Sequence, residues 1–109
     1  MKKSEIKFIV SLDDNNLPEQ LHWRADDSGM EGEKECKAVM LALFDKKDQT
    51  TMRIDLWTKE MLVEEMQQFF FEMYMSMADT YMNATNNKEH ADKMKSFARE
   101  FGKEVNLIK

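Results

Sequence analysis

Residues 51–84 read TMRIDLWTKEMLVEEMQQFFFEMYMSMADTYMNA, and within this stretch the apolar period changes once. Met52, Ile54 and Leu56 alternate with Arg53, Asp55 and Trp57. A period of two belongs to a strand with one buried face. From Leu62 onward, Met66, Phe69, Phe70, Met73, Met77, Thr80, Tyr81 and Ala84 recur at three and four. That spacing predicts a helix with one wide apolar face. Thr58 is a suitable N-cap and Glu60 in the first turn suits the helix dipole, which puts the helix over about 59–85.

Upstream, the pattern stays strand-like. Ile6, Phe8, Val10 and Leu12 alternate with Glu5, Lys7, Ile9 and Ser11; Leu21, Trp23 and Ala25 alternate with Gln20, His22 and Arg24. Between them Asp13-Asp14-Asn15-Asn16 is a turn cluster, because short Asx side chains bond their own backbone and tolerate the left-handed region. Pro18 cannot donate a ladder hydrogen bond and belongs at a strand start or an edge. Asp26 to Glu35 reads as an exposed acidic loop. Lys37 to Phe44 is apolar on both parities, as in a strand covered on both faces, although a short buried helix gives the same pattern. Asp45-Lys46-Lys47-Asp48-Gln49 closes a second hairpin.

Downstream, Asn83 to Asn87 interrupts the helix, and Asn86 with Glu89 three residues later resembles a capping box. Ala91, Met94, Phe97, Ala98, Phe101 and Val105 then share one helical face, with Gly102 weakening it by roughly 1 kcal/mol against alanine. The order predicts an α+β domain spanning 1–109: a four-stranded antiparallel sheet of two hairpins followed by two helices packed on one face. Strands are expected at about 4–12, 19–25, 37–45 and 50–57, helices at about 59–85 and 87–106.

Composition narrows function mainly by exclusion. At 109 residues the chain has room for one ordinary core. Sixteen basic against 21 acidic residues leave a net charge of −5 without a basic cluster, which argues against nucleic acid and anionic lipid as partners. No segment approaches the ~20 apolar residues that span a bilayer. Glu5, Lys7 and Ser11 interrupt any signal-peptide core behind Lys2-Lys3, so a cytoplasmic location is expected. The lone Cys36 excludes an internal disulfide. His22 alternates outward on a strand and His90 opens a helix, neither with partners at ligand spacing. Phosphate-loop, dinucleotide, zinc-protease and nucleophile-elbow motifs are absent. The turn at residue 13 lacks the glycine and glutamate of a calcium loop. The expectation is therefore a protein that is not an enzyme, with no catalytic, cofactor-binding or metal-ligating residues.

What the sequence does carry is excess apolar helix surface. Phe71, Met75 and Met82, with Ala78, form a second stripe rotated by roughly 100° from that of Phe70. Methionine, 11 in all, dominates both stripes, and flexible Met-rich faces suit adaptable partner surfaces. Either the last helix covers this stripe through Phe97 and Phe101, or part of it meets another chain. Arg53 and Trp57 are a second candidate for contacts, lining an open sheet face with Asp55, His22 and Arg24, because Trp and Arg are enriched at binding hot spots. The bland alternative for Trp57 is a partly covered indole satisfied at the strand-to-helix junction.

Met1-Lys2-Lys3-Ser4-Glu5-Ile6, Lys37-Ala38-Val39-Met40-Leu41, Arg53-Ile54-Asp55-Leu56-Trp57-Thr58-Lys59, Met66 with Phe69-Phe70, and Ala78-Asp79-Thr80 together resemble the gliding motility-associated protein C (GldC) family. The Arg53-to-Lys59 segment is the most specific piece. The resemblance implies a small soluble bacterial protein, accessory to surface gliding, with no catalytic site to carry over. Joined to the residue pattern, it leads to the expectation of a non-enzymatic protein acting through contacts of its Met/Phe-rich helix. Its partner would be a component of the gliding machinery or a second copy in a homodimer. A carrier of a small apolar ligand, or a chaperone-like adaptor, is the alternative.

Overall fold

The computed structural model describes residues 1–27, 29 and 31–109. Among these residues five strands precede two helices: β1 (Ile6–Leu12), β2 (Pro18–Ala25), β3 (Lys34–Cys36), β4 (Ala38–Phe44), β5 (Thr51–Trp57), α1 (Val63–Thr85) and α2 (Lys88–Glu104). The α+β class is as expected. The single four-stranded sheet is not: the strands form a three-stranded sheet in the order β1-β2-β3 and a separate two-stranded sheet, β4-β5, all antiparallel. The extra strand is β3, which occupies the end of the segment expected to be an acidic loop. Three residues, two of them charged, carry no alternation of their own. They are extended because Leu21, His22 and Trp23 pair with Cys36, Glu35 and Lys34. Of that expected loop, Ser28 and Met30 lie outside the described residues.

The chain divides into two units, 1–61 and 62–109. In the first, both hairpins close with the same device. Asp13 Oδ1 accepts from the N–H of Asn15 and of Leu17 at 2.8 and 3.0 Å, and Asn16 takes φ +62°. Asp45 Oδ2 accepts from the N–H of Lys47 and of Asp48 at 3.1 and 2.7 Å, and Gln49 takes φ +57°. An aspartate at the turn entrance thus replaces ladder bonds that the reversing backbone gives up. Leu21, 1% exposed, is the most buried large side chain of the sheets.

The second unit is an αα-hairpin. Thr58 does not cap α1; its N–H donates to the Lys37 carbonyl at 2.9 Å and prolongs the β4-β5 ladder. The helix starts after Leu62, whose N–H donates to the Glu65 carboxylate at 2.9 Å, and Glu64 and Glu65, rather than Glu60, occupy its first turn. At the far end the two asparagines divide the work. Asn86 terminates α1 in the left-handed region, with its N–H on the Met82 carbonyl at 2.8 Å. Asn87, not Asn86, caps α2 by accepting from the His90 N–H at 3.1 Å. The residues buried in this unit are small: Ala78 on α1, and Ala91, Ala98 and Gly102 on α2. Small side chains let two helix backbones approach closely, and the Lys95–Asp79 ion pair at 2.7 Å ties their flanks.

Candidate interaction surfaces

In the helical unit, the backbone spacing that buries Ala78 also orients Phe71. A β-carbon added at Gly102 would lie 2.7 Å from Phe71 Cε1, so this ring rests directly on the α2 backbone. Phe71, Met75 and Met82 are all half-buried. The neighbouring stripe is more open. Tyr74 sits among three phenylalanines, its ring edge-on to Phe70 at 6.0 Å and to Phe97 and Phe101 at 5.3 Å each. Beside it Met77 is 53% and Phe97 57% exposed, and together with Tyr74 and Met94 they line a shallow apolar hollow of about 150 Å³. The periodicity of α1 shows that Met77 is on an apolar stripe but not that α2 leaves it open. The sequence clue was the row Ala91, Ala98, Gly102, which marks the face of α2 that abuts α1 and leaves Phe97 to the side.

In the sheet unit, Arg53 and Trp57 both lie on β5, and Trp57 is 54% exposed. Arg53 bonds Asp55 two residues on, Nη2 to Oδ1 at 2.6 Å, which raises the guanidinium's pKa further. His22 and Arg24, grouped with them in the sequence reading, belong to the other sheet, and Arg24 is paired to Asp26 at 2.9 Å. Trp57, Leu56, Thr58 and Lys59 border an open hollow of about 300 Å³ with Leu17, Pro18 and Asp55. Lys59 reaches the turn carboxylate of Asp13 at 2.7 Å. That contact, with the backbone donors of Leu17 and Asn15, holds the Asp13 carboxyl down at about 2. Thr58 is buried, and its hydroxyl has no partner among the described residues.

Cys36 and His22 do not converge. The β2-β3 register puts Cys36 opposite Leu21 and His22 opposite Glu35. Adjacent positions of a strand face opposite ways, so Cys36 and His22 are on opposite sides of the sheet. Burial pushes the Cys36 thiol pKa up, away from a reactive thiolate. His90 stands in the other unit, edge-on to Tyr81 at 5.3 Å. Among the described residues no three of His, Cys, Asp and Glu gather where they could hold a metal ion.

Compared with known families, residues 18–107 match the model of the GldC-like family, described as gliding motility-associated protein GldC-like. The chain belongs to the GldC-like family. The match covers most of the sheet unit and nearly all of the helical hairpin, so both candidate surfaces lie within the family region. No curated protein and no solved structure matches. Membership associates the chain with gliding motility. Among the described residues of this GldC-like chain, no helix is long and apolar enough to cross a membrane.

Proposed function

We propose that this GldC-like protein is a non-enzymatic accessory of the gliding machinery and acts by docking its helical hairpin onto another protein of that machinery. The observation that supports this reading is the open stripe beside the interhelical seam. Met77 and Phe97 are each more than half exposed around an apolar hollow, on helices whose seam is otherwise closed with small residues. Exposed aromatic and methionine side chains grouped around a dent are the usual anchors of a protein interface. Phe71, Met75 and Met82 are half-buried, Phe71 against Gly102 of α2, and in this reading they belong to the hairpin's own packing. Arg53 and Trp57 belong to a separate surface.

The test is a gliding strain whose only copy carries Phe97→Asp, set against a control carrying Ser76→Asp. Colony spreading is expected to fall strongly with the first and to stay normal with the second, with both proteins present at wild-type level. Normal spreading with Phe97→Asp would overturn the reading. A second reading, carriage of a small apolar ligand, draws on the ~300 Å³ hollow beside Trp57, a size at the lower end of ligand sites. Native mass spectrometry of protein from gliding cells would then show an adduct that Trp57→Ala abolishes; bare protein counts against it.

A further inference from the structure

Strand β5 has one paired edge and one open edge. Its inner partner is β4, with Val39 opposite Leu56, Leu41 opposite Ile54 and Leu43 opposite Met52. The ladder's ends show which residues turn inward. Thr58 N–H donates to the Lys37 carbonyl, and Asp45 N–H to the Thr50 carbonyl. In an antiparallel ladder the hydrogen-bonded pairs recur every second residue. The backbone groups of Met52, Ile54 and Leu56 therefore face β4, and those of Thr51, Arg53, Asp55 and Trp57 face outward. Among the described residues no strand pairs with that outer edge. β2 approaches β5 without pairing, and beside its start Leu17 and Pro18 border a hollow with Asp55 to Lys59 at the far end of β5. Thr51 to Asp55 are all exposed.

From this edge we infer that the chain forms a two-fold dimer in which β5 pairs antiparallel with β5 of a second copy, Arg53 opposite the partner's Asp55. The register follows from charge. Outward-facing residues must pair with outward-facing residues, which leaves few alignments. Centring the axis on Arg53 or on Asp55 sets like charges face to face, which is destabilising in directly opposed positions. Centring it on Ile54 sets Arg53 against the partner's Asp55 and Asp55 against the partner's Arg53. On the opposite sheet face the same alignment sets Ile54 against the partner's Ile54 and Met52 against the partner's Leu56. One alignment thus satisfies backbone parity, charge and apolar matching together, as a self-complementary two-fold interface requires.

The other open edges lack this property. β1 carries a single charge, Lys7, and β4 carries none, while on the edge strand β3 Lys34 and Glu35 are adjacent, so backbone parity keeps one from opposing the other in an inverted copy; none of the three specifies an alignment by opposite signs. Charges that only block edge pairing need not alternate in sign at the spacing that matches an inverted copy. Pairing also relieves a local weakness. A lone two-stranded ribbon is marginal in water, and the face of β4-β5 bearing Met52, Ile54 and Leu43 is left about half exposed. Joining two ribbons gives four strands with one continuous apolar face. This dimer is independent of the role proposed for the helical hairpin.

The experiment is sedimentation equilibrium on the full chain from about 1 µM to about 1 mM, a range that covers weak to moderate self-association. Wild type is expected to dimerise. Arg53→Asp alone and Asp55→Arg alone should each weaken the dimer at least tenfold, roughly, because each converts both symmetry-related attractions into repulsions. The double exchange, Arg53→Asp with Asp55→Arg, restores opposite signs and should return the dimer to within about threefold of wild type. A readout without substitutions accompanies it: the Arg53 and Asp55 amides should gain hydrogen-exchange protection with concentration, while the Ile54 amide, bonded to β4, is protected throughout. A monomer at every concentration, a dimer indifferent to the single reversals, or a folded double variant no better than the singles would each overturn the proposal.

Discussion

Asp13 serves a turn and an ion pair with one carboxylate. Its Oδ1 holds the Asn15 and Leu17 amides while its Oδ2 holds Lys59. With its pKa lowered from 3.8 to about 2, the native state keeps Asp13 ionised where the unfolded chain would protonate it. The stability this supplies is complete above about pH 5 and is lost as pH falls through 3.8 toward 2. In Lys59→Met the Asp13 pKa should rise part of the way back, because the two backbone donors remain, and carbon-detected NMR titration of the carboxyl would show it. Gly102 is constrained by contact and not by backbone conformation. Gly102→Ala would gain about 1 kcal/mol of helix propensity but force Phe71 and Ile108 aside, an overpacking that costs ~1–3 kcal/mol. Chemical denaturation should find the variant less stable by about 1 kcal/mol, and Phe71→Leu in the same chain should recover part of the loss.

Among elements, the interhelical link rests on adjacent asparagines with different tasks. Asn87→Ala removes the acceptor for the His90 amide and should lower stability by about 1 kcal/mol, whereas Asn86→Gly, at a left-handed position, should leave it within a few tenths. Urea unfolding of the two variants separates these roles. The same link shows where sequence reading stops. Either asparagine has the chemistry to cap, and only the backbone conformation assigns them. Strands β1, β2 and β5 and both helices were legible because their apolar periods are local. β3 was not, because its extended form comes from β2, across a segment rich in Asp, Glu and Gly. Thr58 misled for a similar reason: it has a capping side chain, but its backbone still continues the β4-β5 ladder through Lys37, 21 positions away in the chain, and the helix begins only after Leu62.

For the molecule as a whole, the sequence disclosed how much apolar helix surface there is but not which part is covered. Phe71, Met75 and Met82 stood out by number and spacing, yet the small residues of α2 decide that Phe71 meets backbone and that Met77 and Phe97 lie outside the seam. Likewise Arg53 and Trp57 attracted notice as residue types, while the property that matters on β5, which amides face outward, depends on pairing that only the fold reveals. Methionine's unequal cover has a chemical consequence. Met52 and Met77 are 58% and 53% exposed, whereas Met40, Met66, Met73, Met75, Met82 and Met94 are at least half shielded. Peroxide should therefore convert the first two to sulfoxides well before the others, as peptide mass spectrometry would show, turning pliant sulfur into a polar, chiral group on two separate surfaces. If Met77 docks as proposed, oxidation would weaken that docking, and a reductase acting on sulfoxides would restore it.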